Sequence, residues 1–234
     1  EIRGQARTDA LEVSLAVWLD THYGMSVSPR MVSDATLLVA QRNPYHPVRE
    51  YLSSIEWDGE PRAETLAARY LGAEPTELAA EIGRCFLVSA VARVMKPGCK
   101  VDTTVVLVGK QGARKSSAVR SLAVRPEWYS PTPFLFGSKD AYQNLPGVWL
   151  YELAELATMR PSTVDSVKAF LSAKEDRYRP SYGRNVCRVP RQTIFVGTVN
   201  EQEFLHDPTG ARRFWPLRVG QIALDELERD RDQL

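Results

Sequence analysis

Thr103-Thr104-Val105-Val106-Leu107-Val108-Gly109-Lys110-Gln111-Gly112-Ala113-Arg114-Lys115-Ser116-Ser117 is the stretch on which the fold of this chain turns. Its first six residues are an unbroken, mostly β-branched run, the pattern of a strand buried on both faces. Gly109 to Ser116 then follows the phosphate-loop pattern GxxxxGK[ST] at every fixed position but 114, placed directly between a strand and a helix. Such a loop needs backbone N–H groups turned into a concave nest at a helix N-terminus, where the partial positive charge attracts phosphate. It needs a lysine that reaches the β- and γ-phosphates, the place of Lys115, and a hydroxyl for Mg²⁺, the place of Ser116. The candidate nucleotide-binding residues are Gly109, Lys110, Gln111, Gly112, Ala113, Arg114, Lys115, Ser116 and Ser117. Arg114 departs from expectation, because Gly normally precedes the lysine and lets the backbone approach the phosphates closely. Its side chain would either crowd a nucleotide or supply a second cation. The plainer reading is a strand–helix turn carrying chance basic residues.

Working outward, Gly147-Val148-Trp149-Leu150-Tyr151, Gln192–Thr198 and Arg213–Val219 read as three further strands, with helical stretches between them. Ser162 is placed to cap a helix running to about Ala173. Asp140–Leu145 reads as a connecting helix. Buried strands alternating with helices predict an α/β fold, a largely parallel sheet flanked by helices. The first hundred residues read instead as helices, at about 9–22, 29–41, 47–56, 62–71 and 75–95. Ser28-Pro29 is an N-cap with proline at the first helical position. The expected division is therefore an N-terminal helical region over 1–100 and a core over 101–234.

The chain has 234 residues, 44% of them hydrophobic, enough for a substantial core. Lys and Arg total 30 against 29 Asp and Glu, so nucleic-acid binding requires a local patch rather than a basic protein. No apolar run approaches the ~18 residues of a membrane span. Three scattered cysteines and three scattered histidines give no zinc or disulfide pattern, and the expected compartment is a reducing cytoplasm. The sequence opens without Met and ends in a charged run reading as an interrupted helix, so a piece of a longer protein is expected.

Hydrolysis requires more than the loop. Tyr151-Glu152-Leu153-Ala154-Glu155 puts acids at the end of a hydrophobic strand. Glu152 is the candidate for Mg²⁺ through water and Glu155 for the general base; the two roles are exchangeable at this level. Asn200 follows the next strand, where an amide can hold the attacking water. Arg212 and Arg213, after a Gly turn, suit an arginine finger offered to a neighbouring subunit. A solvated helix start, a turn residue and a surface ion pair are the plainer readings of these groups.

Lys174 to Arg191 carries six basic residues against two acidic ones, a local +4 in a chain whose total is +1. Tyr178 and Tyr182 are interleaved. Cations neutralise phosphates and aromatic rings stack on unpaired bases. Tyr182-Gly183-Arg184 is placed to turn a β-hairpin. Lys174, Arg177, Arg179, Tyr182 and Arg184 are the candidate DNA contacts; the alternative is a solvated hairpin paired with acids elsewhere.

In their order these residues resemble the virulence-associated protein E family of phages and pathogenicity islands, and more widely the superfamily 3 helicases and phage or poxvirus primase-helicases. The matching text includes Asn43–Leu52, Trp57-Asp58-Gly59, Tyr70–Ala73, Pro97–Lys100, Glu152–Leu156, Tyr178–Arg184 and Thr209–Pro216. The resemblance implies a P-loop NTPase core of AAA+-like type, ATP with Mg²⁺, and homo-oligomeric rings on single-stranded or forked DNA. It carries Lys115 and Ser116 to nucleotide and metal, Glu152 to Walker B, Asn200 to sensor 1, and Arg212 or Arg213 to the finger. It also implies that a hairpin between Walker B and sensor 1 grips DNA in the ring channel. Family members usually read Gly at position 114. The expected activity is a DNA-stimulated ATPase or helicase-like motor of a mobile-element replication system. The alternatives are a DNA-binding regulatory module with weak or no hydrolysis and, with less behind it, a small-molecule phosphotransferase.

Overall fold

The structure, a computed structural model, describes residues 8–133, 138–154, 167–181, 185–200 and 213–234. The chain divides into two compact units, one ending at Pro47 and the other running from Val48 to Leu234. The first is a pair of helices, α1 (Asp9–Tyr23) and α2 (Pro29–Arg42). Thr8 and Ser28 cap them by accepting the N–H of Leu11 and Met31 on their hydroxyls.

The second unit is built on a five-stranded, wholly parallel sheet. Its strands are β1 (Thr104–Val108), β2 (Tyr129–Ser130), β3 (Leu150–Ala154), β6 (Ile194–Val199) and β7 (Phe214–Arg218), in the order β2-β3-β6-β1-β7. β4 (Glu175–Tyr178) and β5 (Cys187–Pro190) form a separate antiparallel pair. The apolar run at 104–108 is buried at every position because both faces of the sheet are covered. Val105 and Leu107 join a core with α4 (Glu77–Met95), α5 (Lys115–Leu122) and the C-terminal helix Leu224–Asp230. Val106 and Val108 join the opposite core with Tyr151, Phe195 and the helical residues 167–171. β7 pairs with β1 alone, and its Pro216 is accommodated because an edge strand has one side without a partner strand.

The parallel α/β sheet flanked by helices agrees with expectation. β1 ends at Val108 as expected and the other limits of the expected strands lie one to three residues away, and one of these shifts has a chemical consequence. β3 continues to Ala154, so Glu152 lies inside the strand, opposite Val196, and not at its tip. The stretch expected as a helix over 62–71 is a 3₁₀ turn (Ala63–Thr65) followed by a π turn (Leu66–Tyr70). α3 (Pro47–Ser54) and α4 lie where expected, and Val48 and α4 share a core with the sheet. The change in sequence texture near residue 100 therefore falls inside the second unit. Trp128 and Trp149 are core aromatics, whereas Trp18 and Trp57 are exposed.

Candidate nucleotide site and basic hairpin

β1, β3 and β6 are neighbours or next neighbours in a parallel sheet, so their carboxyl ends open on the same edge. Residues beyond such ends are where open α/β sheets bind ligands. Gly109 leaves β1 pressed against the chain leaving β7: a Cβ there would stand 2.8 Å from Val219 Cγ2 and 3.0 Å from its carbonyl oxygen. The Val219 N–H donates to Val108 O at 2.8 Å, which fixes that crossing. The loop then reaches Arg114, whose φ of 60° and ψ of 27° are left-handed, and α5 begins at Lys115. Gly is therefore favoured at position 114 by the backbone dihedral itself, in addition to any close approach of a ligand.

Lys115 is 9% exposed. Its Nζ donates to Gly109 O at 2.8 Å, to Lys110 O at 2.9 Å and, at the long limit of 3.5 Å, to Asn200 Oδ1. The ammonium is thus folded onto carbonyls of its own loop and reaches across to the residue after β6. Glu152 is 2% exposed. Its Oε1 accepts from Ser116 Oγ at 2.7 Å and from Thr198 Oγ1 at 2.6 Å, and its Oε2 accepts from the Tyr129 hydroxyl. Burial, and then the Glu152 contact, pushes the Tyr129 phenol well above its ordinary range, so Tyr129 is the donor. Gln111–Ser117, Ala154 and Thr198–Asn200 line an open cleft of about 450 Å³.

Among the described residues no group of three or more His, Cys, Asp or Glu is placed to hold a metal. Glu152 with Ser116 is a smaller, hard-oxygen set. It fits Mg²⁺, which takes one or two carboxylates and draws its remaining ligands from phosphate and water. It does not fit a metal that needs a complete protein cage.

The hairpin is set on a buried ion pair. Asp176 accepts from Arg191 Nε at 3.1 and 3.2 Å and also from its Nη2, and Arg191 donates to Phe170 O from Nη1. Arg191 is 1% exposed, with its guanidinium 4.2 Å from the Phe170 ring centre. Arg93, on the last turn of α4, donates to the carbonyls of Val101, Ala173 and Arg191 at 3.2–3.4 Å. Two residues of opposite sign thus leave the basic patch for the interior, Arg191 and Asp176, so the local excess is unchanged but Arg191 is no DNA contact. On the exposed face Arg177 stands directly opposite Arg188, although like charges in that position disfavour pairing. Arg188 lies 3.7 Å from Glu175.

The virulence-associated protein E-like domain matches residues 52–234. The chain belongs to this family. The fold of the virulence-associated protein E-like chain is similar to solved apo structures of the NrS-1 C-terminal region, residues 305–718. One is matched at 14% identity with a TM-score of 0.54 and another, the A form, at 14% with a TM-score of 0.51. Each covers 78% of this chain and 46% of the other, so the chain spans less than half the length of those structures. At that identity the likeness shows the fold. No curated protein matches the sequence. No helix among the described residues is long and apolar enough to cross a membrane.

In this virulence-associated protein E-like chain the structure brings together Lys115, Ser116, Glu152 and Asn200 from three segments. Arg213 is placed elsewhere: its Nε donates to Ser172 Oγ at 3.1 Å, just before the hairpin. Lys174 and Arg177 lie on or beside β4, and Arg179 follows it. Glu155, Tyr182, Arg184 and Arg212 lie outside the described residues, as does Ser162. Sequence reasoning missed Tyr129 and Thr198. Thr198 had a signal, a hydroxyl near the end of an otherwise apolar strand. Tyr129 had none, since a two-residue strand shows no periodicity.

Proposed function

We propose that the chain is a P-loop NTPase of AAA+-like type that hydrolyses ATP in support of DNA replication by a phage or other mobile element, as a DNA-stimulated, helicase-like motor assembled in rings. The observation carrying this reading is the convergence of Lys115, Ser116 and Asn200 on one cleft at the carboxyl ends of parallel strands, with the buried Glu152 behind it hydrogen-bonded to Ser116. A loop of this sequence at a helix N-terminus suits a triphosphate. Membership of the virulence-associated protein E-like family supports the replication setting.

The loop amides of 109–114 and Lys115 would hold the phosphates, and Lys115 must exchange its carbonyl partners for them. Ser116 and Glu152 would hold Mg²⁺, which supplies neutralisation of phosphate charge when bound. Asn200 orients the attacking water, Glu155 takes its proton, and Arg212 acts as the finger toward a neighbouring subunit. Arg213 is the weaker finger candidate because Ser172 already engages it. The exposed arginines of the hairpin, Arg177 and Arg188 foremost, would follow the phosphates of single-stranded DNA.

Phosphate release measured with and without single-stranded DNA tests the reading. DNA-stimulated release that disappears in Lys115→Ala is expected. A folded wild-type chain that binds DNA but releases no phosphate would instead establish a regulatory module. The specific observation favouring that second reading is Arg114, a bulky side chain on a left-handed backbone within the loop.

A further inference from the structure

The Glu152 carboxylate is buried inside β3, and among the described residues no cation pairs with it. Its charge is met by three neutral hydroxyls: Ser116 and Thr198 on Oε1, and Tyr129 on Oε2. A buried carboxylate held only by neutral donors is poised for a cation. Ser116 belongs to the first turn of α5, directly after the loop, and Thr198 to the adjacent strand. Tyr129 comes from the far side, on the edge strand β2 beside β3.

Its placement is rigid. Trp128, one residue earlier, is buried with its ring 6.4 Å from that of Trp149, and its carbonyl accepts the Trp149 N–H at 2.8 Å. Tyr129 pairs with Leu150 in the sheet register. The phenol therefore reaches Glu152 from a fixed base and can hold Oε2 without help from the loop, which a bound nucleotide would rearrange.

We propose that Tyr129 is a positioning residue for Glu152: its hydroxyl fixes the orientation of the carboxylate and thereby sets how tightly the site takes the divalent cation that accompanies a nucleotide. This rests on the nucleotide reading of the cleft. Outer-shell donors of this kind typically change metal affinity ~10–100-fold when removed.

The test titrates Mg²⁺ into the full chain mixed with a fluorescent, non-hydrolysable ATP analogue, comparing wild type with Tyr129→Phe. The ring and its packing are kept, and only the donor oxygen is lost. Thermal unfolding without metal or nucleotide checks that the variant is folded. Half-saturation by Mg²⁺ is expected to move at least ~10-fold higher in Tyr129→Phe, with the same final binding amplitude. Should the phenylalanine variant fail to fold, Tyr129→Met, also without a donor and with an adaptable apolar side chain, repeats the comparison. Mg²⁺-dependent binding in wild type with an unshifted variant curve overturns this inference alone. Absence of analogue binding in folded wild type at any Mg²⁺ concentration overturns the nucleotide reading, and this inference with it.

Discussion

Arg114 shows what one residue does to a loop. Its φ of 60° places Cβ close to the following carbonyl, a conformation that costs an L-residue about 1–2 kcal/mol and glycine almost nothing. No ion pair or hydrogen bond among the described residues engages its guanidinium, so nothing visible offsets that cost, and strain of this kind concentrates at functional sites. Arg114→Gly is expected to raise stability by about 1 kcal/mol in urea unfolding, with an unchanged denaturant slope. A destabilised variant would contradict the strain. Lys115 behaves differently. Its ammonium satisfies loop carbonyls, so Lys115→Ala removes the loop's own cross-braces as well as the cation proposed for phosphate. Loss of nucleotide binding in that variant therefore needs the unfolding control beside it.

At the scale of the element, the hairpin separates anchoring from contact. Asp176 and Arg191 face inward at its base while Arg177 and Arg188 face outward, as the alternation of a strand requires. Asp176→Ala leaves a guanidinium buried without its charge partner, and a loss of about 3–5 kcal/mol is expected in chemical unfolding. The double variant Arg177→Ala, Arg188→Ala removes a repulsive cross-strand pair, so stability is expected to hold or rise slightly. Its affinity for single-stranded DNA should fall. The slope of log affinity against log salt should flatten by about 1.4, the share of two phosphate contacts at roughly 0.7 each. An unaltered slope would remove the pair from DNA binding.

Across the whole second unit, the helical stretch before β1 and the chain after β7 are stitched together. Gly220 N–H donates to Leu71 O at 3.1 Å and Ala223 N–H to Tyr70 O at 2.9 Å. A Cβ on Gly72, whose φ is +64°, would stand 2.5 Å from Gln221 O. Both the contact and the dihedral exclude a side chain there, and Gly72→Ala is expected to cost at least ~2 kcal/mol in thermal unfolding. This stitching and the shared core of α4 and the sheet make residues 48–234 one packing unit. A chain starting at Val48 should keep a single cooperative unfolding transition.

Features that local pattern encodes are legible in the chain alone. Val105–Val108 declare a strand covered on both sides, Ser28-Pro29 a helix start, and the residues flanking Tyr182-Gly183-Arg184 a hairpin, because each signal spans only a few neighbours. Lys115, Ser116 and Asn200 were legible as a group because their positions relative to strand ends already place them on one edge. Tertiary structure alone decided the partners. Glu152 meets Ser116 across 36 residues, Thr198 across 46 and Tyr129 across 23, and Arg93 reaches Ala173 across 80. Arg191, the same residue type as Arg177 in the same basic run, went to the interior instead of the surface. The physical reason is that burial of a charge depends on which strands and carbonyls close around it, and that is settled by sheet order and register between segments far apart in the chain.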